Sequence, residues 1–152
     1  MAKKKLQAQN IYDIKNYLNK DNPLPIYYLY GKDSFAKNAV MKLIEDNYSH
    51  LITSEFDKEI ISCRKGTKIE QITTAASSFS FGGEKRLLII KDFNLIKVKK
   101  SFLNYVKSPS DFTILVILDN SEILYETELL RELVEKKYIF NAGGLKGSDW
   151  NS

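Results

Sequence analysis

Apolar residues along this chain follow two periods, and the places where the period changes divide it into elements. Ile11, Ile14, Tyr17 and Leu18 fall at helical spacing over Asn10 to Leu18, and Pro23 and Pro25 close that segment. Ile26 to Tyr30 (IYYLY) is apolar throughout, the pattern of a strand covered on both faces. A helix is predicted from about Ser34 to Tyr48, with Phe35, Ala39, Val40, Leu43 and Ile44 on its inner face. Imperfect alternation around Ser54 to Ile61 predicts a strand. Thr67-x-x-Glu70 reads as a capping box opening a helix whose inner face carries Ile69, Ile72, Thr73 and Ala76. That helix ends before FSFGGEK.

The second half repeats the alternation. Arg86 to Lys91 (RLLIIK) is a second buried strand, Val98 to Val106 a helix, and Thr113 to Leu118, after Pro109, a third apolar strand. A helix from Thr127 to Lys136 turns Leu129, Leu130, Leu133 and Val134 inward, and Tyr138 to Phe140 makes a short last strand. Strands separated by helices of this length predict an α/β domain with a mainly parallel five-stranded sheet in three layers. It should occupy residues 1–140. Residues 141–152, rich in glycine, are expected to be a linker or the start of a further domain. Trp150 within them needs a surface to pack on, either this domain or one beyond the end of the chain.

Composition narrows the function classes. The chain has 152 residues, 43% of them hydrophobic and 28% charged, enough for one domain with a substantial core. No stretch approaches the ~18 consecutive apolar residues of a membrane span. The start, MAKKKLQAQN, lacks the apolar run of a secretory signal. One cysteine, Cys63, excludes an internal disulfide framework and fits a reducing cytoplasm; with one histidine, His50, it leaves no metal-ligand spacing. The net charge of +4 is spread over Lys3 to Lys5, Lys97, Lys99 and Lys100, and Lys136 and Lys137. No aromatics are interleaved with these lysines, so solvated helix faces explain them better than a nucleic-acid groove.

The strand–turn–helix at Ile26 to Phe35 is where a P-loop NTPase holds its nucleotide. A phosphate loop needs G-x-x-x-x-G-K-[ST]; here Gly31 is followed at once by Lys32, Asp33 and Ser34. The loop is too short to wrap a triphosphate, and Asp33 sets a negative charge beside it. Asp92 stands where a magnesium-binding acid would follow the second strand, but Phe93 replaces the expected second acid. Asp119 and Asn120 end the third strand, the place of a nucleotide sensor, but acids at the carboxyl ends of parallel strands are also ordinary turn and cap residues. Carboxylate neighbours such as Glu45 and Asp46 share no evident pocket, and no nucleophile can be matched with a base. The expectation is a nucleotide-binding architecture with a degenerate site, no cofactor and no catalytic centre. The function should therefore lie in partner binding.

Ser77-Ser-Phe-Ser-Phe-Gly-Gly-Glu-Lys-Arg86 is the other unusual segment. It places Phe79 and Phe81 among small residues at a helix-to-strand tip. They act either as anchors for a partner pocket or as a cap folded back onto their own helix.

Four pieces in order resemble the delta subunit of the bacterial DNA polymerase III clamp loader. They are IYYLYGKDSF (Ile26 to Phe35), AASSFSFGGEKRLLIIKD (Ala75 to Asp92), YVKSPSDFTILVIL (Tyr105 to Leu118) and the passage from Phe140 to Trp150. The resemblance implies an AAA+-like N-terminal domain that does not bind ATP. It also implies that an apolar tip enters a hydrophobic pocket on the ring-shaped sliding clamp (the beta subunit) and helps open the ring in DNA replication. Other clamp-loader subunits would be engaged through domains beyond this chain, and DNA within the whole complex. Carried over by position, the clamp-binding tip is Phe79, Ser80, Phe81 and Gly82. Phe81 is the expected main anchor and Phe79 the second; Gly82 and Gly83 would let the turn lie close to the clamp, with Lys85 and Arg86 at the rim. The family's tips carry two adjacent apolar residues, whereas Ser80 separates the aromatics here. Two other readings remain: a nucleotide-binding enzyme with an unusual phosphate loop, and a DNA-binding module using the lysine clusters. The delta-prime type of subunit carries a zinc-binding cysteine cluster, which a chain with Cys63 alone does not match.

Overall fold

The computed structural model describes residues 3–143. Six strands form one sheet: β1 Gln9–Asn10, β2 Ile26–Tyr30, β3 Lys58–Ser62, β4 Arg86–Lys91, β5 Thr113–Asp119 and β6 Ile139–Asn141. Their spatial order is β1-β6-β2-β5-β4-β3, and every pairing is parallel. The helices are α1 Ser34–Asn47, α2 Ile69–Ala76, α3 Phe102–Lys107 and α4 Glu128–Glu135.

The apolar strands alternate their side chains between two cores. Tyr27 and Leu29 of β2, Leu87 and Ile89 of β4, and Ile114, Val116 and Leu118 of β5 meet Ile11, Ile14, Ala36, Ile44 and Tyr48 on the α1 side. Tyr28 and Tyr30, Leu88 and Ile90, and Leu115 and Ile117 meet Ile69, Ile72, Phe102, Val106, Leu130 and Leu133 on the side of α2, α3 and α4. A strand buried on both faces shows no polar alternation, which is why β2, β4 and β5 are continuous apolar runs in the sequence. The fold is thus the expected three-layer α/β domain, with six strands rather than five. The extra one, β1, is two residues long and pairs with β6; it is too short to leave a periodic signal.

Three local expectations change. The first apolar segment is a 3-10 helix, Ile11–Tyr17, capped by the Asn10 side chain accepting from the Tyr12 N–H. On α1 the inner face is Ala36, Lys37, Val40 and Ile44, while Phe35, Ala39 and Leu43 face outward. The inner stripe contains a lysine, so the pattern appeared one residue out of phase. α2 starts at Ile69, with Lys68 in the cap position. There the Gln71 side chain accepts from the Lys68 N–H (2.8 Å), and the Thr67 hydroxyl turns back to accept from Arg64 N–H (2.8 Å).

Candidate functional site

All six strands run the same way, so their carboxyl ends make one end of the sheet and their amino ends the other. The degenerate nucleotide site lies at the carboxyl end and the aromatic tip at the amino end.

At the carboxyl end the turn after β2 packs closely against the chain's own backbone. Gly31 adopts φ +130°, and a Cβ there would lie 2.4 Å from the carbonyl carbon of Ala142. Ala142 N–H donates to Tyr30 C=O (2.6 Å), Asp33 N–H donates to Ala142 C=O (2.9 Å), and Gly31 N–H donates to Asp119 C=O (3.2 Å). The turn is therefore stitched to β6 and β5. Asp33 caps α1 by accepting from the Ala36 N–H (2.9 Å), taking a helix N-terminal donor that a phosphate would use.

Below the cap, Lys37 is buried. Its Nζ donates to the Asp119 C=O (3.1 Å) and the Asn120 Oδ1 (2.8 Å). Burial lowers its pKa, opposed in part by the negative charges of Asp119, Asp92 and Asp33. Asp92 accepts from the Asn120 side-chain amide (2.7 Å). Asp119 accepts from the Ser121 N–H (2.8 Å) and from the Tyr28 hydroxyl. Burial first, then the Asp119 charge, pushes the Tyr28 pKa well up, so this phenol stays protonated and donates. A cleft of about 320 Å³ remains, lined by Ser34, Lys37, Asn38, Lys91, Asp92, Leu118 and Asn120. Two of its lining groups, Asp92 and Asn120, already bond each other, and Lys37 is taken up by Asn120 and the Asp119 C=O. Millimolar ATP with Mg²⁺ is accordingly expected to leave the melting temperature within about 1 °C, whereas a ligand at a hundred times its Kd adds about 2.7 kcal/mol. A rise of several degrees would restore the nucleotide-enzyme reading.

At the amino end, the tip after α2 holds Phe79 and Phe81, which are 79% and 74% exposed. Each ring leans on a neighbour: Phe79 on Phe112 (centroids 4.8 Å apart) and Phe81 on Phe56 (6.0 Å). Ser80 between them is half-buried. The turn backbone is held by one side chain. Asp57 is fully enclosed and accepts from the N–H groups of Phe81 (2.6 Å), Gly82 (3.1 Å) and Gly83 (3.0 Å). Burial pushes the Asp57 pKa up, but these three hydrogen bonds and the nearby Arg86 outweigh it and hold the carboxyl below the usual range. Gly83 has no room for a side chain: a Cβ would come 2.9 Å from Leu51 O and 3.0 Å from Thr53 N. Its bareness thus serves the chain's own packing, while Gly82 stands open.

Arg86 departs from the rim position expected of it. It is buried, and its guanidinium donates to the carbonyls of Ala75 (2.6 Å) and Ser78 (3.3 Å) and bridges to Glu59 (3.2 Å). With Thr113 donating to Ala76 C=O (2.7 Å), it adds side-chain donors to the carbonyls at and just beyond the end of α2. Arg86 therefore fixes where the tip leaves the helix. Lys85 is half-buried, its ammonium donating to the Asp111 C=O.

The family model for the delta subunit of DNA polymerase III matches residues 27–142, from β2 to the end of the turn behind Gly31. The chain belongs to this family. Its fold is the AAA+-like fold of the clamp-loader delta subunits. A curated relative, DNA polymerase III subunit delta of Bacillus subtilis, is 26% identical over 136 residues, covering 83% of this chain and 39% of the relative. The solved Bacillus subtilis DNA clamp loader delta protein superposes with a TM-score of 0.77 at 22% identity, over 91% of this chain and 44% of that one. A DNA polymerase III gamma subunit-related protein of Thermotoga maritima gives a TM-score of 0.58 at 12% identity, over 93% and 48%. The chain thus spans less than half the length of these relatives.

Two residues that shape the tip were missed in the sequence. Phe56 and Asp57 fall in Ser54 to Ile61, read there as strand, but Glu55–Asp57 is a 3-10 turn preceding β3. The available signal was Ser54, whose hydroxyl caps the turn by accepting from the Phe56 N–H (3.2 Å). Trp150 and the tail from residue 144 lie outside the described residues.

Proposed function

We propose that this delta-family domain binds the DNA sliding clamp through Phe79, Ser80, Phe81 and Gly82, and helps open the clamp ring during replication without hydrolysing ATP itself. The supporting observation is the display of two phenylalanines on a turn whose backbone is already fixed by the enclosed Asp57 carboxylate. A helix cap would bury its ring; these two stay exposed although each touches a neighbour. Sinking one phenylalanine into an apolar pocket contributes roughly 1.5–3 kcal/mol, and a pre-ordered turn loses little freedom in doing so. Binding energy is thus available at the tip, while at the carboxyl end the turn after β2 and Lys37 are already bonded within the chain. In this reading, residues 1–140 are the clamp-binding domain and 141–152 lead toward a further domain. Contacts with other clamp-loader subunits and with DNA are made by the longer protein.

The test is titration of this domain against the sliding clamp of the same organism, beside Phe79→Ala, Phe81→Ala and the double variant. Binding at micromolar Kd or tighter, about −8 kcal/mol, and lost in the double variant supports the reading. A folded domain that does not bind refutes it.

A further inference from the structure

The tip is not the only apolar surface at this end of the sheet. Phe56 is 67% exposed, belongs to neither core, and lies between the charged residues Glu55 and Asp57. Its ring stands 6.0 Å from that of Phe81, at 51° to it. The two are held in fixed relation, because Asp57, the residue next to Phe56, accepts the Phe81 N–H at 2.6 Å. One short turn, capped by Ser54, thus supplies both the clasp for the tip and a second ring beside it. Phe35 is exposed too, but it lies in the first turn of α1 at the opposite end of the sheet and is not continuous with this patch.

Resting on the clamp-binding reading of the tip, we propose that Phe56 is a third apolar contact for the same clamp protomer, forming with Phe81 one ridge across two chain segments. A partner surface that closes over Phe81 meets a ring whose centroid is 6.0 Å away. That spacing lets a single apolar pocket cover both rings and exclude the water between them. Folding does not require Phe56 to be aromatic, since it packs in neither core, and with Phe81 beside it the two exposed rings form one contiguous apolar patch.

The experiment measures clamp affinity by calorimetry for Phe56→Ala alone and for Phe56→Ala combined with Phe81→Leu, with melting temperatures alongside. Phe56→Ala is expected to weaken binding by about fivefold or more in both backgrounds, as a peripheral hot-spot contact does, with a melting temperature within about 2 °C of the parent. A change below about twofold overturns the proposal. So does a loss that disappears once Phe81 is leucine, because Phe56 would then only be supporting Phe81. Unchanged affinity in the Phe79→Ala, Phe81→Ala double variant would instead overturn the clamp reading beneath it, which keeps the two failures apart.

Discussion

Replacing Gly31 with alanine is expected to destabilise the domain by about 3 kcal/mol, from left-handed backbone strain and overpacking together. At this chain length that is a fall in melting temperature of roughly 6–12 °C. Two costs act at once. The backbone sits at φ +130°, a region that side chains with a Cβ rarely enter. The added carbon would also lie 2.4 Å from the carbonyl carbon and 2.6 Å from the oxygen of Ala142, both main-chain atoms. Ala142 has no room to retreat, because its N–H is bonded to Tyr30 C=O and its C=O to Asp33 N–H. A shift there would disturb the β2–β6 pairing and the α1 cap together. Thermal melting of Gly31→Ala decides the matter: a drop under about 2 °C would mean that the turn relaxes and that this closure is not rigid.

The same turn shows how much of the fold was legible in the sequence. Gly31 was recognisable as a sharp turn after an apolar strand, and the missing second glycine was enough to withdraw the phosphate loop. The sequence does not reveal what packs against this turn, because Ala142 lies 111 residues further along the chain. Strands β2, β4 and β5 were legible because burial on both faces removes every polar residue from their interiors. The phase of α1 was misread because Lys37 is buried on the inner face, its ammonium bonded to Asp119 and Asn120. A pattern of hydrophobicity has no means of marking a lysine whose head group finds partners inside.

The tip divides in the same way. Phe79 and Phe81 were visible as large apolar residues among small ones, where a loop has no core reason to carry them. Arg86 was misplaced at the rim because a charged residue is assumed to seek water, whereas the carbonyls of Ala75 and Ser78 and the Glu59 carboxylate hold its guanidinium inside. Asp57 and Phe56 were hidden inside an imperfect strand pattern, and their relation to the tip spans 24 residues of sequence. Local periodicity reports which face of an element is buried; it does not report which distant loop a buried carboxylate will hold.

Phe81→Ala is expected to weaken clamp binding by about thirtyfold, near 2 kcal/mol, and Phe79→Ala by less. The ranking follows from Asp57. The Phe81 N–H and those of the next two residues converge on one carboxylate, so the Phe81 ring is presented with its backbone already ordered. Phe79 rests on Phe112 at 4.8 Å, a contact it must share or surrender when a pocket takes its ring. Asp57→Asn checks the argument. Oδ1 serves Phe81 while Oδ2 serves Gly82 and Gly83, so an amide turned either way points an NH₂ group at one or more of these donors. That variant should lose about tenfold in affinity, since charge-assisted bonds to the turn are roughly twice as strong as neutral ones. It should add little once Phe81 is already alanine, as expected of a residue that acts by positioning another. The pH dependence has a fixed sign. The folded Asp57 pKa lies below its ordinary 3.8, so the carboxylate contributes fully above that value and its contribution is lost as pH falls through the lower folded one. The gap in melting temperature between the parent and Asp57→Asn should therefore stay constant from neutral pH down to about 4 and narrow only below it. Equal losses from Phe79→Ala and Phe81→Ala would remove Asp57 as the basis of the ranking, and no loss from either would remove the tip from the interface.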